Sequence, residues 1–188
     1  MLSFTNRYIQ NLDSTLKSSN LEAISEIVDA LDSTQGRIYI IGNGGSAATA
    51  SHMVNDLGAG LRRREIKYFD VESLNDNTPV CTAIANDIGY ENIFYMQLKG
   101  RLKPADLLIA ISCSGNSENI IKAVEYAKEE NAKVIGITGF DGGKLKPLSD
   151  INYHVPTDKG QYGIVEDAHM ILNHIIYSYY IDQAKYKD

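Results

Sequence analysis

Three short apolar runs each lead into a cluster of glycine and small polar residues. RIYII (37–41) runs into GNGGS, LLIAI (107–111) into SCSGNS, and VIGIT (134–138) into GFDGG. A strand with no polar alternation needs cover on both faces, and parallel sheets flanked by helices provide it. Helical spacing falls between these runs, at 46–57, 78–86, 92–102 and 119–130, and a long closing helix is predicted over 164–183. Weaker strands are expected at 67–71 and 151–155. Residues 8–31 carry Ile9, Leu12, Leu16, Leu21, Ile24, Ile27, Val28 and Leu31 at helical spacing, as one helix or as two with a break near 18–20. The expected architecture is a single domain over 1–188, with a helical segment at 1–33 and an α/β core at 37–188. Right-handed crossovers put every strand's carboxyl end on one edge, and ligands bind beyond that edge.

Composition narrows the function classes. The formal charge of −6 is spread along 188 residues, and the only basic knot is Arg62, Arg63 and Arg64. A general nucleic-acid binder needs a basic face to neutralise phosphates, so that class is set aside. Cys81 and Cys113 lack C-x-x-C spacing and read as free thiols in a reducing compartment. No apolar run approaches the roughly 20 residues that span a bilayer. Charges at Asp13, Lys17, Glu22, Glu26 and Asp29 argue against a signal peptide in the first helix. A cytoplasmic location is expected.

The polar loops point to an anion. In Gly42-Asn43-Gly44-Gly45-Ser46, glycines allow close backbone approach, and the helix that follows offers free N–H groups. The loop matches neither G-x-G-x-x-G nor the P-loop pattern. Ser112-Cys113-Ser114-Gly115-Asn116-Ser117 places three hydroxyls between a buried strand and a helix. Hydroxyls and N–H groups there can share the oxygens of a phosphate. A helix cap needs one Ser or Asn, and here there are four, the three serines and Asn116. The third loop, 138–143, is read equally as a plain turn or a ligand contact.

These loops, with the blocks AIANDIGYENIF (83–94), VPTD (155–158) and EDAHMILNH (166–174), resemble the sugar-isomerase (SIS) domain proteins, and among them the phosphoheptose isomerases. The blocks fall in the family's order from about residue 38 onward. The resemblance implies a three-layer α/β/α sandwich of flavodoxin-like type, built on a five-stranded parallel sheet with an N-terminal helical extension. It also implies a homotetramer with active sites between subunits. The implied phosphate site is Ser46, Ser112, Ser114 and Ser117, with Gly44 in the first loop. Cys113 stands where these enzymes often have Thr. Asn43 and Asp87 match positions lining the sugar.

The resemblance further implies one zinc ion per subunit, on His52, Asp56, Glu166 and His174. Asp56 stands where the family has a Glu and Glu166 where it has a Gln, and the family's Arg position is Gly60, with Arg62 and Arg63 as nearby replacements. His52 and Asp56 are four apart on a predicted helix and so share a face. Glu166 and His174 are eight apart. On a continuous helix that is about 12 Å of rise, too far for two ligands of one ion. Either the helix starts after Glu166, or the two serve different copies of the site.

His169 and His154 read as structural, and Tyr177, Tyr179, Tyr180 and Tyr186 as packing and subunit contacts. The implied reaction is aldose–ketose isomerisation of a sugar phosphate, sedoheptulose 7-phosphate to D-glycero-D-manno-heptose 7-phosphate, supplying heptose for lipopolysaccharide or capsule. Asp56, Glu166 and His174 are the catalytic candidates. The alternatives are an isomerase for another phosphosugar, or a non-catalytic SIS protein of the replication-initiator-associating type that senses a sugar phosphate or binds a protein. The non-catalytic reading predicts a broken acid/base set, whereas all four metal-site positions here hold potential ligands.

Overall fold

The structure, a computed structural model, describes residues 1–186. Five parallel strands form one sheet: β1 (Ile38–Gly42), β2 (Val71–Ser73), β3 (Leu107–Ser112), β4 (Lys133–Phe140) and β5 (Ile151–Pro156), in the order β2-β1-β3-β4-β5. The helices are α1 (Leu2–Ser18), α2 (Glu22–Ser33), α3 (Gly45–Met53), α4 (Thr78–Ile88), α5 (Tyr95–Leu98), α6 (Glu118–Glu129), α7 (Leu145–Leu148) and α8 (Tyr162–Ala184). A π-helical turn, Val54–Gly60, continues α3. The expected parallel sandwich is present, with the N-terminal segment as two helices. Among the described residues no helix is long and apolar enough to cross a membrane.

Strand pleating explains why the runs are apolar throughout. Ile38, Ile40, Leu107, Ile109, Ile111, Ile135 and Ile137 face one core, shared with α2, α3 and α8. Tyr39, Ile41, Leu108, Ala110 and Val134 face the other, shared with α5 and α6. Both faces are therefore dry, and a fully buried side chain such as Leu172 or Ile176 contributes about 1.5–3 kcal/mol. This packing lays α3 and α8 on the same face, where the site is built.

Two elements differ from the sequence expectation. The second strand occupies Val71–Ser73 rather than 67–71. Phe69's carbonyl accepts from the Arg62 guanidinium (3.1 Å), and the β1 ladder begins only at Asp70, whose carbonyl takes the Ile38 N–H at 2.8 Å. The helix expected over 92–102 is a 3₁₀ turn at Tyr90–Asn92 and the single turn α5. Gly100 has φ +74°, which ends the helical path, and the Gln97 amide is drawn across to the Leu74 carbonyl at 3.0 Å.

Candidate active site

Strand order reverses beside β1, which pairs with β2 on one side and β3 on the other. The crevice beyond the carboxyl ends of β1 and β3 is the position where open α/β sheets bind ligands. A cavity of about 150 Å³ lies there, lined by Asn43, Ser46, Ile111, Ser112, Cys113, Ser114, Ser117, Tyr162 and Glu166. The two loops singled out in the sequence thus converge on one cavity.

Local geometry keeps its hydroxyls available. Ser117 is the residue before α6, yet its side chain makes no capping bond. Ser112 Oγ accepts from the Gly115 N–H at 3.1 Å and lies 3.4 Å from Ser117 Oγ. Ser114 Oγ accepts from the Asn116 N–H at 3.2 Å. Gly115 has φ +62°, and a Cβ there would sit 2.0 Å from the Gly142 carbonyl oxygen, so only glycine lets this loop lie on the next one. The amino ends of α3 and α6 supply further donors and a positive dipole end. Among the described residues, no arginine or lysine lines the cavity. Arg62 is taken up by the Phe69 carbonyl, and Arg64 by the Gly60 carbonyl and the Tyr177 ring. A Cβ on Gly60 would lie 2.9 Å from the Tyr177 hydroxyl, so an arginine at that position would have to displace the Tyr177 side chain.

Cys113 lies buried against Ser46, with Sγ 4.0 Å from Ser46 Oγ. Burial pushes its thiol up to about 11, so it is a neutral, small wall residue at physiological pH. Asn43 and Asn119 exchange two amide hydrogen bonds of 2.9 Å, and the Tyr90 hydroxyl donates to Asn43 Oδ1 at 2.9 Å. Gly44, with φ +54°, shapes the first loop without lining the cavity. Asp87 is exposed near the end of α4, accepts from Asn86 at 2.9 Å, and does not line the cavity. The third loop closes a separate cavity with Asn116, Asp158 and Lys159, which it shares with Ser114.

The four proposed metal ligands separate into two places. His52, Asp56 and His174 come together, with candidate ligand atoms all within 4.8 Å of one another. His52 Nε2 is 3.1 Å from His174 Nε2 and 3.3 Å from Asp56 Oδ2. Ligand atoms about 2.0–2.1 Å from a tetrahedral zinc lie about 3.3 Å from each other, so both separations from His52 match such an ion and the donor types suit it. Asp56 is 6% exposed and is held by the Asn173 amide at 2.8 Å. Glu166 is elsewhere, its carboxyl lying against Gly45, where a Cβ would meet it at 2.3 Å. Since α8 is unbroken from Tyr162, the idea that the helix begins after Glu166 is excluded.

Sequence reasoning missed Tyr162, Asn119, Tyr90 and Asn173. The asparagines carried a readable signal, since each is a polar residue on the buried, mostly apolar stripe of its helix. His169 and His154 are structural, as expected. His169 Nε2 donates to the Thr138 carbonyl at 3.2 Å, and burial holds its ring down to about 4. His154 Nδ1 meets the Thr138 hydroxyl at 3.0 Å.

A family model described as SIS domain matches residues 3–139. The chain belongs to the SIS-domain family. A phosphoheptose isomerase of Helicobacter pylori (strain P12) is 40% identical over 168 residues, covering 89% of this chain and 83% of the relative. Among solved structures, this SIS domain superposes on phosphoheptose isomerase GmhA of Neisseria gonorrhoeae with TM-score 0.80 and 28% identity, covering 96% and 95% of the two chains. The Francisella tularensis phosphoheptose isomerase gives 0.82 and 29%, over the same shares. The resemblance seen in the sequence therefore holds over nearly the whole chain.

Proposed function

We propose that the protein is a cytoplasmic aldose–ketose isomerase converting sedoheptulose 7-phosphate to D-glycero-D-manno-heptose 7-phosphate. The observation that carries this is the single cavity in which a hydroxyl cluster and a carboxylate, Glu166, face each other at the strand ends. The hydroxyls of Ser46, Ser112, Ser114 and Ser117 hold the phosphate, assisted by the amino ends of α3 and α6. Asn43 meets the sugar. The open-chain ketose loses a proton from C1, the enediolate carries the charge, and a proton returns to C2 while another passes between the two oxygens. Glu166 takes the carbon-bound proton in this reading, supported by its place in the cavity lining, and Asp56 and His174 are the remaining acid/base groups. His52, Asp56 and His174 would hold zinc, which supplies Lewis acidity at the substrate oxygens when bound.

Glu166 and the triad stand about 12 Å apart along α8. In the proposed enzyme the triad therefore serves the cavity of a neighbouring subunit within a homotetramer. Exposed Ile175 and Tyr179 on α8, and Ile9 on α1, support contact surfaces for that neighbour. The unpaired thiols of Cys81 and Cys113 support a reducing, cytoplasmic setting. The test is incubation with sedoheptulose 7-phosphate in deuterated water, with zinc present. Isotope entering C2 of an aldose product is the expected outcome, and no exchange under conditions where ligand binds sinks the assignment.

A further inference from the structure

Asn173 has no part in the chemistry above, yet it is an unusual residue to find in this core. It is 0% exposed, on the same stripe of α8 as the fully buried Leu172 and Ile176. Its Nδ2 donates to Asp56 Oδ2 at 2.8 Å, while its own Oδ1 is buried without a hydrogen-bond partner. A buried amide with an idle acceptor is unfavourable, so its presence calls for a compensating role. A leucine would fill the same space on the stripe at lower cost.

The geometry around Asp56 shows what the amide secures. Asp56 Oδ2 is shared between Asn173 and His52, the latter at 3.3 Å, and Oδ1 accepts from the Asn55 amide at 3.0 Å. The residue sits in the π-helical turn Val54–Gly60, a form rare in proteins and frequent at functional sites. Without Asn173, the carboxylate keeps one neutral donor and is free to turn from His52. A longer side chain at position 56 would push its carboxylate into the Asn173 amide, only 2.8 Å away.

We propose that Asn173 is a positioning residue that fixes the Asp56 carboxylate against His52, and that Asp56 and Asn173 form one coupled unit matched in length. This rests on the reading of His52, Asp56 and His174 as working groups. It assigns Asn173 no contact with substrate.

The experiment compares wild type with Asn173→Leu, Asn173→Ala, Asp56→Glu and the double variant Asn173→Ala/Asp56→Glu. Read-outs are kcat and KM for sedoheptulose 7-phosphate, zinc affinity of the metal-free protein by calorimetry, and melting temperature. Asn173→Leu is expected to lower kcat roughly tenfold or more and to weaken zinc binding by about 10–100-fold, the usual range for residues that orient metal ligands. KM stays within about twofold, because the phosphate is held elsewhere. Asp56→Glu alone is impaired, and adding Asn173→Ala restores part of the loss, since the missing amide leaves room for the longer acid. If Asn173→Leu does not fold, the alanine single and double variants make the same comparison. A folded Asn173→Leu or Asn173→Ala with kcat and zinc affinity both near wild type overturns the proposal, as does strictly additive behaviour of positions 56 and 173. Should wild type itself fail to isomerise the sugar, the functional assignment falls alone. Zinc affinity and the coupling in melting temperature then still decide the role of Asn173.

Discussion

Glu166 and His174 stand two helical turns apart on the unbroken α8 and face different partners, Glu166 against Gly45 and His174 against His52. Gly45 and His52 are themselves near the two ends of α3. The two helices therefore run side by side in the same direction, with the hydroxyl cavity at their amino ends and the His/Asp triad further along.

The hydroxyl cluster gives the first prediction. Replacing Ser114 and Ser117 together with alanine removes two hydroxyls from the cavity lining. Hydrogen bonds to charged groups contribute about 1.5–3 kcal/mol each, so affinity for a sugar phosphate should fall at least tenfold. The melting temperature should move little, because Ser117 makes no capping bond to lose and Ser114 gives up a single exposed bond from the Asn116 N–H. Titration with substrate and with inorganic phosphate measures it, and unchanged affinity removes this loop from the site.

Gly45 gives the second. An alanine there places its Cβ 2.3 Å from the Glu166 carboxyl carbon. Alanine favours a helix interior by about 1 kcal/mol over glycine, and at the first residue of α3 propensity alone leaves the variant at least as stable. The collision instead displaces Glu166, and kcat is expected to fall at least tenfold in a folded protein. Wild-type kcat in Gly45→Ala removes Glu166 from the proton transfer.

Third, His52→Ala removes one of three clustered ligands and the 3.3 Å partner of a buried carboxylate. Elemental analysis of protein purified without chelator should show zinc in wild type and a large loss in the variant. Equal metal content in both places the ion elsewhere.

The sequence made the strands and loops legible because burial on both faces leaves a plain signature in RIYII, LLIAI and VIGIT. It also put the serines on one cavity. It could not place 67–71, because the strand's start there is set by Arg62 reaching the Phe69 carbonyl, a tertiary contact. The division of the four ligands was half legible. Spacing alone showed that Glu166 and His174 cannot share an ion on one helix, but only the packing of α3 on α8 shows which of them joins His52. Asp87, drawn from the resemblance, sits outside the cavity in a single chain, and no local pattern could reveal that.

His169 yields a stability prediction. Its folded value of about 4 lies below the ordinary 6.5, because burial disfavours the charged ring. The neutral form fits the core, so the unfolded chain binds the extra proton first. Stability is fully present above pH 6.5 and declines as pH falls from there toward about 4, by up to about 3 kcal/mol. Denaturant midpoints between pH 7.5 and 4.5 should show the fall, and His169→Gln should flatten it. An equal slope in the variant assigns the effect to other groups.

Shared sites give the last prediction, and the structure dictates which variants to mix. His52 and His174 meet within one chain, so a mixture of His52→Ala and His174→Ala breaks every triad and recovers nothing. Glu166 lies apart with the serine cavity, which makes Glu166→Ala and His174→Ala the informative pair. If each site joins one subunit's cavity to another's triad, a cavity is intact on the His174→Ala chains and a triad on the Glu166→Ala chains. After random exchange at equal amounts, half the cavities and half the triads are whole, so about a quarter of wild-type activity should return. Each variant alone should stay inactive, and dilution to a monomer should abolish activity. Verified subunit exchange with no recovery would mean that cavity and triad act within a single chain, and that the roughly 12 Å between Glu166 and His174 is closed by unwinding of α8 between them.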